Sequence, residues 1–168
     1  LRGDVNLNAD VTATDAAEVL QYVTGNKNLA GTALVNADAS GAWSNSQTPD
    51  SSVVNAPQVT AYDAYYILNY AVNEVWPGAA KSGENAEFTM SSKTIPPNSY
   101  FTVPVYLQGD DVNAGNFVME YDTEFLELMS ADVAMENDMV AVNTEEAGKI
   151  GFAFVSMKGA SDGVAVNL

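Results

Sequence analysis

The 168-residue chain has no cysteine and no histidine, and its 6 Lys and Arg stand against 22 Asp and Glu, a formal net charge of −16. Without Cys or His there is no disulfide, no thiol nucleophile, no Ser-His-Asp triad and no zinc site on thiolate or imidazole ligands. Any metal must be held by hard oxygen donors, which suits Ca²⁺. The shortage of bases argues against nucleic acid as a partner, because binding its backbone requires Lys and Arg to displace condensed counterions. No apolar run approaches the roughly 18 residues that membrane insertion needs. The chain opens Leu1-Arg2-Gly3-Asp4 without the basic and apolar stretches of a signal peptide, and it reads as a soluble mature piece. Lack of Cys is compatible with secretion if metals supply the stapling.

With 47% apolar residues the chain has enough to bury a core. Its composition changes midway. Residues 1–77 read as helices separated by Asn- and Asp-rich loops, and 86–168 as short alternating strands, with 78–85 (from Gly78 to Asn85) as a linker after Trp76-Pro77. Both halves are acidic, with 8 acids and 2 bases up to residue 77 and 14 acids and 4 bases beyond it. The expected organisation is therefore multidomain: a small all-α unit followed by a β-sandwich.

The first half contains an internal repeat. Val11-Thr12-Ala13-Thr14-Asp15-Ala16-Ala17-Glu18-Val19-Leu20-Gln21-Tyr22 returns as Val59-Thr60-Ala61-Tyr62-Asp63-Ala64-Tyr65-Tyr66-Ile67-Leu68-Asn69-Tyr70, identical at seven of twelve positions. Ala16, Val19, Leu20 and Val23 in one copy, and Ala64, Ile67, Leu68, Ala71, Val72 and Val75 in the other, have the spacing of an amphipathic helix. Gly25-Asn26 should cap the first helix and Pro77-Gly78 end the second.

Ahead of the first helix, Asp4, Asn6, Asn8, Asp10, Thr12 and Asp15 occupy positions 1, 3, 5, 7, 9 and 12 of a twelve-residue loop. This is the spacing of an EF-hand calcium loop: a chain curling around one ion turns every second residue inward, and the last ligand rides on the helix's first turn. Asp4, Asn6, Asn8 and Asp15 are the expected side-chain ligands, Asp10 gives a carbonyl, and Thr12 a hydroxyl or water link. Position 6, usually Gly, is Ala9. The competing reading of such residues is as turn formers and helix caps.

In the second copy Asn36, Asp38 and Ser40 fit positions 1, 3 and 5, with Gly41 at 6, and Thr60 and Asp63 fit 9 and 12. That places repeats at 4–25 and 36–76, the second interrupted by an insert at about 42–57. An insertion of this kind costs little loop entropy if its ends stay close. Having fewer acids, the second site is expected to bind more weakly unless Asp50 folds back onto it.

These motifs, Gly3-Asp4-Val5-Asn6-Leu7-Asn8, Val11-Thr12-Ala13-Thr14-Asp15, Leu20-Gln21-Tyr22-Val23 and the repeat around Asp63, resemble a dockerin, the duplicated calcium-binding module of cellulosomes. The interrupted second loop is similar to ruminococcal variants. The resemblance implies two Ca²⁺ ions, no catalysis, and a helix face that binds a cohesin module on another protein. It would place that face on Ala13, Thr14, Leu20 and Gln21 in the first copy and Ala61, Tyr62, Leu68, Asn69 and Asn73 in the second. Tyr62, Tyr66, Asn69 and Asn73 also fall on one helix face by spacing, where tyrosines would give large contact area; packing of Tyr65, Tyr66 and Tyr70 into a small core is the alternative.

In the second half Phe101-Thr102-Val103-Pro104-Val105, Phe117-Val118-Met119-Glu120-Tyr121-Asp122, Leu126-Glu127-Leu128, Ile150-Gly151-Phe152-Ala153-Phe154 and Ser161-Asp162-Gly163-Val164-Ala165 are similar in order to a cohesin that stops short of its last strands. Pro104 should mark an edge strand or a bulge. The resemblance implies a sandwich of jelly-roll or Ig-like type; a generic Ig-like or a carbohydrate-binding sandwich is the alternative, the latter with Tyr100, Tyr106 and Tyr121 as its only candidate aromatic row. The clustered Glu120, Asp122, Glu124 and Glu127 suggest glycoside hydrolysis only weakly, since Glu120 and Asp122 alternate with apolar neighbours as a solvated face does. The resulting expectation is a secreted, non-catalytic scaffolding protein of a polysaccharide-degrading complex, with no nucleic-acid partner and no membrane insertion. A cohesin would be its partner, and a further dockerin would bind through the second half.

Overall fold

The computed structural model describes residues 1–78 and 86–168. The expected linker therefore falls, apart from Gly78, outside the described residues. In the first half lie α1 (Ala13–Val23), α2 (Gly31–Ala37), a small hairpin of β1 (Trp43–Asn45) and β2 (Thr48–Pro49), α3 (Ser51–Asn55) and α4 (Ala61–Asn73). The second half contains β3 (Glu87–Met90), β4 (Pro104–Gln108), β5 (Val112–Glu120), β6 (Asp132–Val133), β7 (Met139–Asn143), β8 (Lys149–Ala160) and β9 (Gly163–Asn167). The described residues thus form four helices and three antiparallel sheets, of order β1-β2, β3-β4-β9-β6 and β5-β8-β7.

The two repeat helices start alike because each has a Thr followed three residues later by an Asp. Thr12 and Thr60 cap their helices by accepting from the Thr14 and Tyr62 amides, and Asp15 and Asp63 reach back to close a capping box. At the other end of α1, Gly25 takes a left-handed φ of +83°, its N–H donating to the Tyr22 carbonyl while Asn26 N–H donates to Gln21. The second helix stops sooner than Pro77-Gly78 would have it: α4 ends at Asn73, capped by Glu74 in the left-handed region. Val75, placed on its apolar stripe by spacing, falls beyond the helix and is exposed, and Val72, inside its last turn, is exposed as well.

The helices α1 and α4 pack on each other and, together, on the outer face of β5-β8-β7. Strand β8 explains how one sheet serves two neighbours. Phe152 and Phe154 point toward β3-β4-β9-β6, joining Val105, Leu107 and Val166, while Ala153 and Val155 point the other way and join Val19, Leu20, Ala64 and Ile67. Both alternating sets are buried, so the chain is three layers deep: helices, sheet, sheet. The two halves, expected as modules joined by a linker, pack together here and share a core.

Between the two sheets Phe88 meets Phe117 edge-on at 5.0 Å, and Phe117 stacks on Phe152 at 5.2 Å. Pro104 is not on an edge strand, since β4 lies between β3 and β9; it is the first residue of β4, where a missing amide is tolerated. The expected bulge follows directly, between Val105 and Tyr106. Truncating the fully buried Phe152 should destabilise the chain strongly. We expect Phe152→Ala to cost about 3–5 kcal/mol in urea denaturation, against a change within about 0.5 kcal/mol for the exposed Phe125→Ala.

Candidate functional site: two loops that close on buried aspartates

The first loop folds around two carboxylates. Asp15, fully buried, accepts the Val5 and Asn6 amides on Oδ1 (2.9 and 3.1 Å) and the Thr12 amide and hydroxyl on Oδ2 (2.9 and 3.1 Å). Asp4, 5% exposed, accepts from the Asn8 amide on Oδ1 and the Ala9 amide on Oδ2. Asn6 Oδ1 accepts from the Asn8 amide, and Asn8 Oδ1 from the Asp10 amide. The loop is thus wound by side-chain oxygens that each take an amide further along, the Asx-turn chemistry of Asn and Asp. Ala9, at the position where such loops favour Gly, has a φ of +73°. The curl is kept, and the alanine carries the strain.

The second loop repeats this geometry in a different register from the one the spacing suggests. Ser40 N–H donates to Asp63 Oδ1 at 2.8 Å, as Asn6 N–H donates to Asp15, and Thr60 N–H donates to Asp63 Oδ2 at 2.8 Å. Ser40 follows Asp38 by two residues as Asn6 follows Asp4, so Asp38 takes the first position, with Ser40 third. Its Oδ2 accepts from Gln58 N–H at 2.9 Å, across the insert. Asn36 stands outside the ring, its Nδ2 donating to the Asp4 carbonyl at 2.8 Å and its own carbonyl accepting from Gly3 N–H at 2.9 Å. It couples the two loops instead of closing one. Counted from Asp38 the repeat offset is 34 residues at the loop start and 48 at its end, an insert of 14. Asp50 does not fold back: it caps α3 through the Ser52 amide, and those hydrogen bonds hold its carboxyl below the usual range.

Asp4, Asp15, Asp38 and Asp63 are each at most 5% exposed, and none is in an ion pair; the pairs among the described residues are Lys27–Glu18 and Lys149–Glu146. Hydrogen bonds disperse these charges without neutralising them, and an uncompensated buried carboxylate is costly. Burial pushes Asp63 up to about 6 despite its amide donors. Arg2 is the base whose charge reaches Asp63 and Asp38. Its guanidinium lies 4.3 Å from the Trp76 ring and donates to the Ala39 carbonyl, and burial holds it below the ordinary arginine value. Trp76 in turn stacks on Tyr70 at 4.3 Å.

The donor set fits a hard cation: carboxylate, amide and hydroxyl oxygens, and nothing else. Asp4, Asn6, Asn8, Thr12 and Asp15 come together around one loop, with Asp10 N–H turned into it, and Asp38, Ser40, Thr60 and Asp63 around the other. Each loop brings only two buried carboxylates, and among the described residues no group of three or more His, Cys, Asp or Glu gathers where a metal could sit. Capping alone accounts for the hydrogen bonding of Asp15 and Asp63. What it leaves unanswered is their charge.

The residues expected to face a partner divide. Ala13, Thr14, Gln21 and Asn73 are exposed, and Tyr62 and Asn69 are half-buried. Leu20, Ala61, Tyr66 and Leu68 are buried and cannot be open contacts in this arrangement. Tyr66 packs edge-on against Tyr62 and Tyr65 and donates its hydroxyl to the Gly78 carbonyl at 2.6 Å, while Leu20, Ala61 and Leu68 belong to the core shared with β8. Spacing misses this because it cannot show that a sheet lies over the helices. Glu120 and Asp122 are exposed, as their alternation implies. Tyr100 and Tyr121 line a groove of about 1470 Å³ at one end of the two larger sheets, but Tyr106 does not, so the three tyrosines make no row. No helix among the described residues is long and apolar enough to cross a membrane.

No protein-family model, curated protein or solved structure matches this chain.

Two substitutions read the loop directly. Ala9→Gly relieves a left-handed alanine and should raise stability by about 1 kcal/mol in urea denaturation. Asp15→Ala orphans four donors and, with Ca²⁺ present, should cost at least about 3 kcal/mol, whereas Thr12→Ala loses a cap worth about 1 kcal/mol.

Proposed function

We propose that the chain is a non-catalytic adaptor whose first half is a dockerin-type calcium module and whose second half is a cohesin-like β-sandwich. The observation that carries this reading is the pair of equivalent loops, each with two buried, unpaired carboxylates and each ending in the first turn of one of two helices packed together. A bound Ca²⁺ would supply the positive charge each pair lacks.

The chain's own residues do the rest. Asp15 and Asp63 join each loop to its helix, because the oxygens that close the loop also hold the Thr12 and Thr60 amides. Asp4 and Asp38 fix the loop entries. Asn36 ties the entries together, so ordering one loop favours the other. Metal binding and helix pairing then form one equilibrium, and its product is a helix pair able to dock on the sheet of a cohesin. The setting that follows from the resemblance is an extracellular or cell-surface polysaccharide-degrading complex, with the second half offering a site to a further dockerin. A carbohydrate-binding sandwich would need an exposed aromatic row, and Tyr100, Tyr106 and Tyr121 do not assemble one.

The test is capture of the full chain on a panel of immobilised cohesins in Ca²⁺ and in excess EGTA, alongside far-ultraviolet circular dichroism. We expect chelation to lower the helical signal and abolish capture. Helicity and capture both unchanged in EGTA would sink the proposal.

A further inference from the structure

The outer face of β5-β8-β7 would carry polar side chains if it met water. Instead, the residues that point outward include Ala114 on β5, Gly151, Ala153 and Val155 on β8, and Met139 and Ala141 on β7. All but Gly151 pack into the core that holds α1 and α4. The glycine is there for clearance: a Cβ at Gly151 would collide with the Thr24 carbonyl at the end of α1. The rim of this flat, small-residue surface is polar and specific. Ala61 N–H, at the first position of α4 where no intrahelical acceptor exists, donates to Asn116 Oδ1 at 3.2 Å. Asn143 Nδ2 donates to the Thr24 carbonyl at 2.9 Å, and Asn26 Nδ2 to the Val142 carbonyl at 3.4 Å. Two helix ends, one from each repeat, are therefore satisfied by asparagines of the other half.

We infer that the outer face of β5-β8-β7 is a docking surface for a paired-helix module, that the α1/α4 pair of this same chain occupies it, and that the chain is thereby self-capped toward outside partners. The contact itself stands on the geometry above. That it caps a binding face rests on the function proposed above, because Leu20, Ala61 and Leu68 are buried here and are also the helix positions assigned to the cohesin. A partner that needs either surface must first separate the halves, and its apparent affinity falls by the fraction of open chain. Because α1 and α4 are each held at their first turn by a loop aspartate, loading the loops also stiffens the face that docks.

Two variants of the full chain test this. Gly151→Leu adds a side chain that points away from the inner core and into α1, and Asn116→Ala removes the acceptor of Ala61. In the unmodified chain with Ca²⁺ we expect the Ala61 amide to be protected from hydrogen exchange and small-angle scattering to give a radius of gyration near the roughly 15 Å of a compact chain this long. Asn116→Ala should expose that amide while amides inside α4 stay protected. Gly151→Leu should enlarge the radius and raise cohesin capture by tenfold or more, with the helical signal kept. An unprotected Ala61 amide in the unmodified chain, or a radius that Gly151→Leu leaves unchanged, overturns the inference; a radius that grows with protein concentration puts the contact between copies and overturns it too. If Gly151→Leu opens the chain and no cohesin binds, the docking stands and the proposed function fails.

Discussion

The helical half is organised around carboxylates that are buried outside any ion pair. Asp15 and Asp63 are each placed where three demands meet: the last position of a loop, the third position of a helix, and a spot from which water is excluded. Four donors converge on Asp15, from Val5, Asn6 and Thr12, and the fold of residues 4–15 is largely the path that brings those donors in. Asp63 performs the same task with Ser40 and Thr60, although a hairpin and a short helix intervene. A neutral isostere could satisfy some of the donors but would forfeit the charge-assisted strength that closes the loop. Leaving that charge unneutralised is costly, and on the proposed reading a bound cation would stabilise the fold by relieving that cost.

The asymmetry between the loops follows from what surrounds them. The first has Asn6 and Asn8 as further oxygen donors, and neither Asp4 nor Asp15 is in an ion pair. The second has Ser40, lacks a side-chain oxygen at its fifth position, Ala42, and feels the partial compensation of Arg2. That arginine is held between Trp76 and the Ala39 carbonyl, so the N-terminal residues, the second loop and the end of α4 are stitched into one corner. On the proposed reading, the second loop would need a cation less and would hold it less tightly.

Much of this was legible from residues alone. The repeat, the two helix starts, the alternation of β5 and β8 and the oxygen spacing of the first loop all follow from local rules, and α1 and α4 start where the periodicity expects them, although α4 ends at Asn73, before Val75. Two features resisted for definite reasons. Ligands that alternate every second residue look the same after a shift of two, so Asn36-Ala37-Asp38 offers two registers; the absence of oxygen at Ala42 favours a start at Asn36, whereas the Ser40 amide on Asp63 matches a start at Asp38. The second was the covered sheet. In Ile150-Gly151-Phe152-Ala153-Phe154 the positions between the large residues hold Gly and Ala, where a wet face would hold Thr, Lys or Glu. That was the available sign that both faces are buried, and a reading of alternation as inside against outside passes over it.

The central claim is that two cations complete the charge of this fold, and it is tested most directly by equilibrium unfolding in urea across a series of buffered free-Ca²⁺ concentrations. Binding two ions to the folded chain alone makes stability rise, above both dissociation constants, by about 2.7 kcal/mol for each tenfold increase in free Ca²⁺. That slope is expected at high Ca²⁺, with a flatter region at lower concentration, where only the first loop would fill. Stability that does not change between excess EGTA and millimolar Ca²⁺ would contradict it, and would leave Asp15 and Asp63 as helix caps and nothing more.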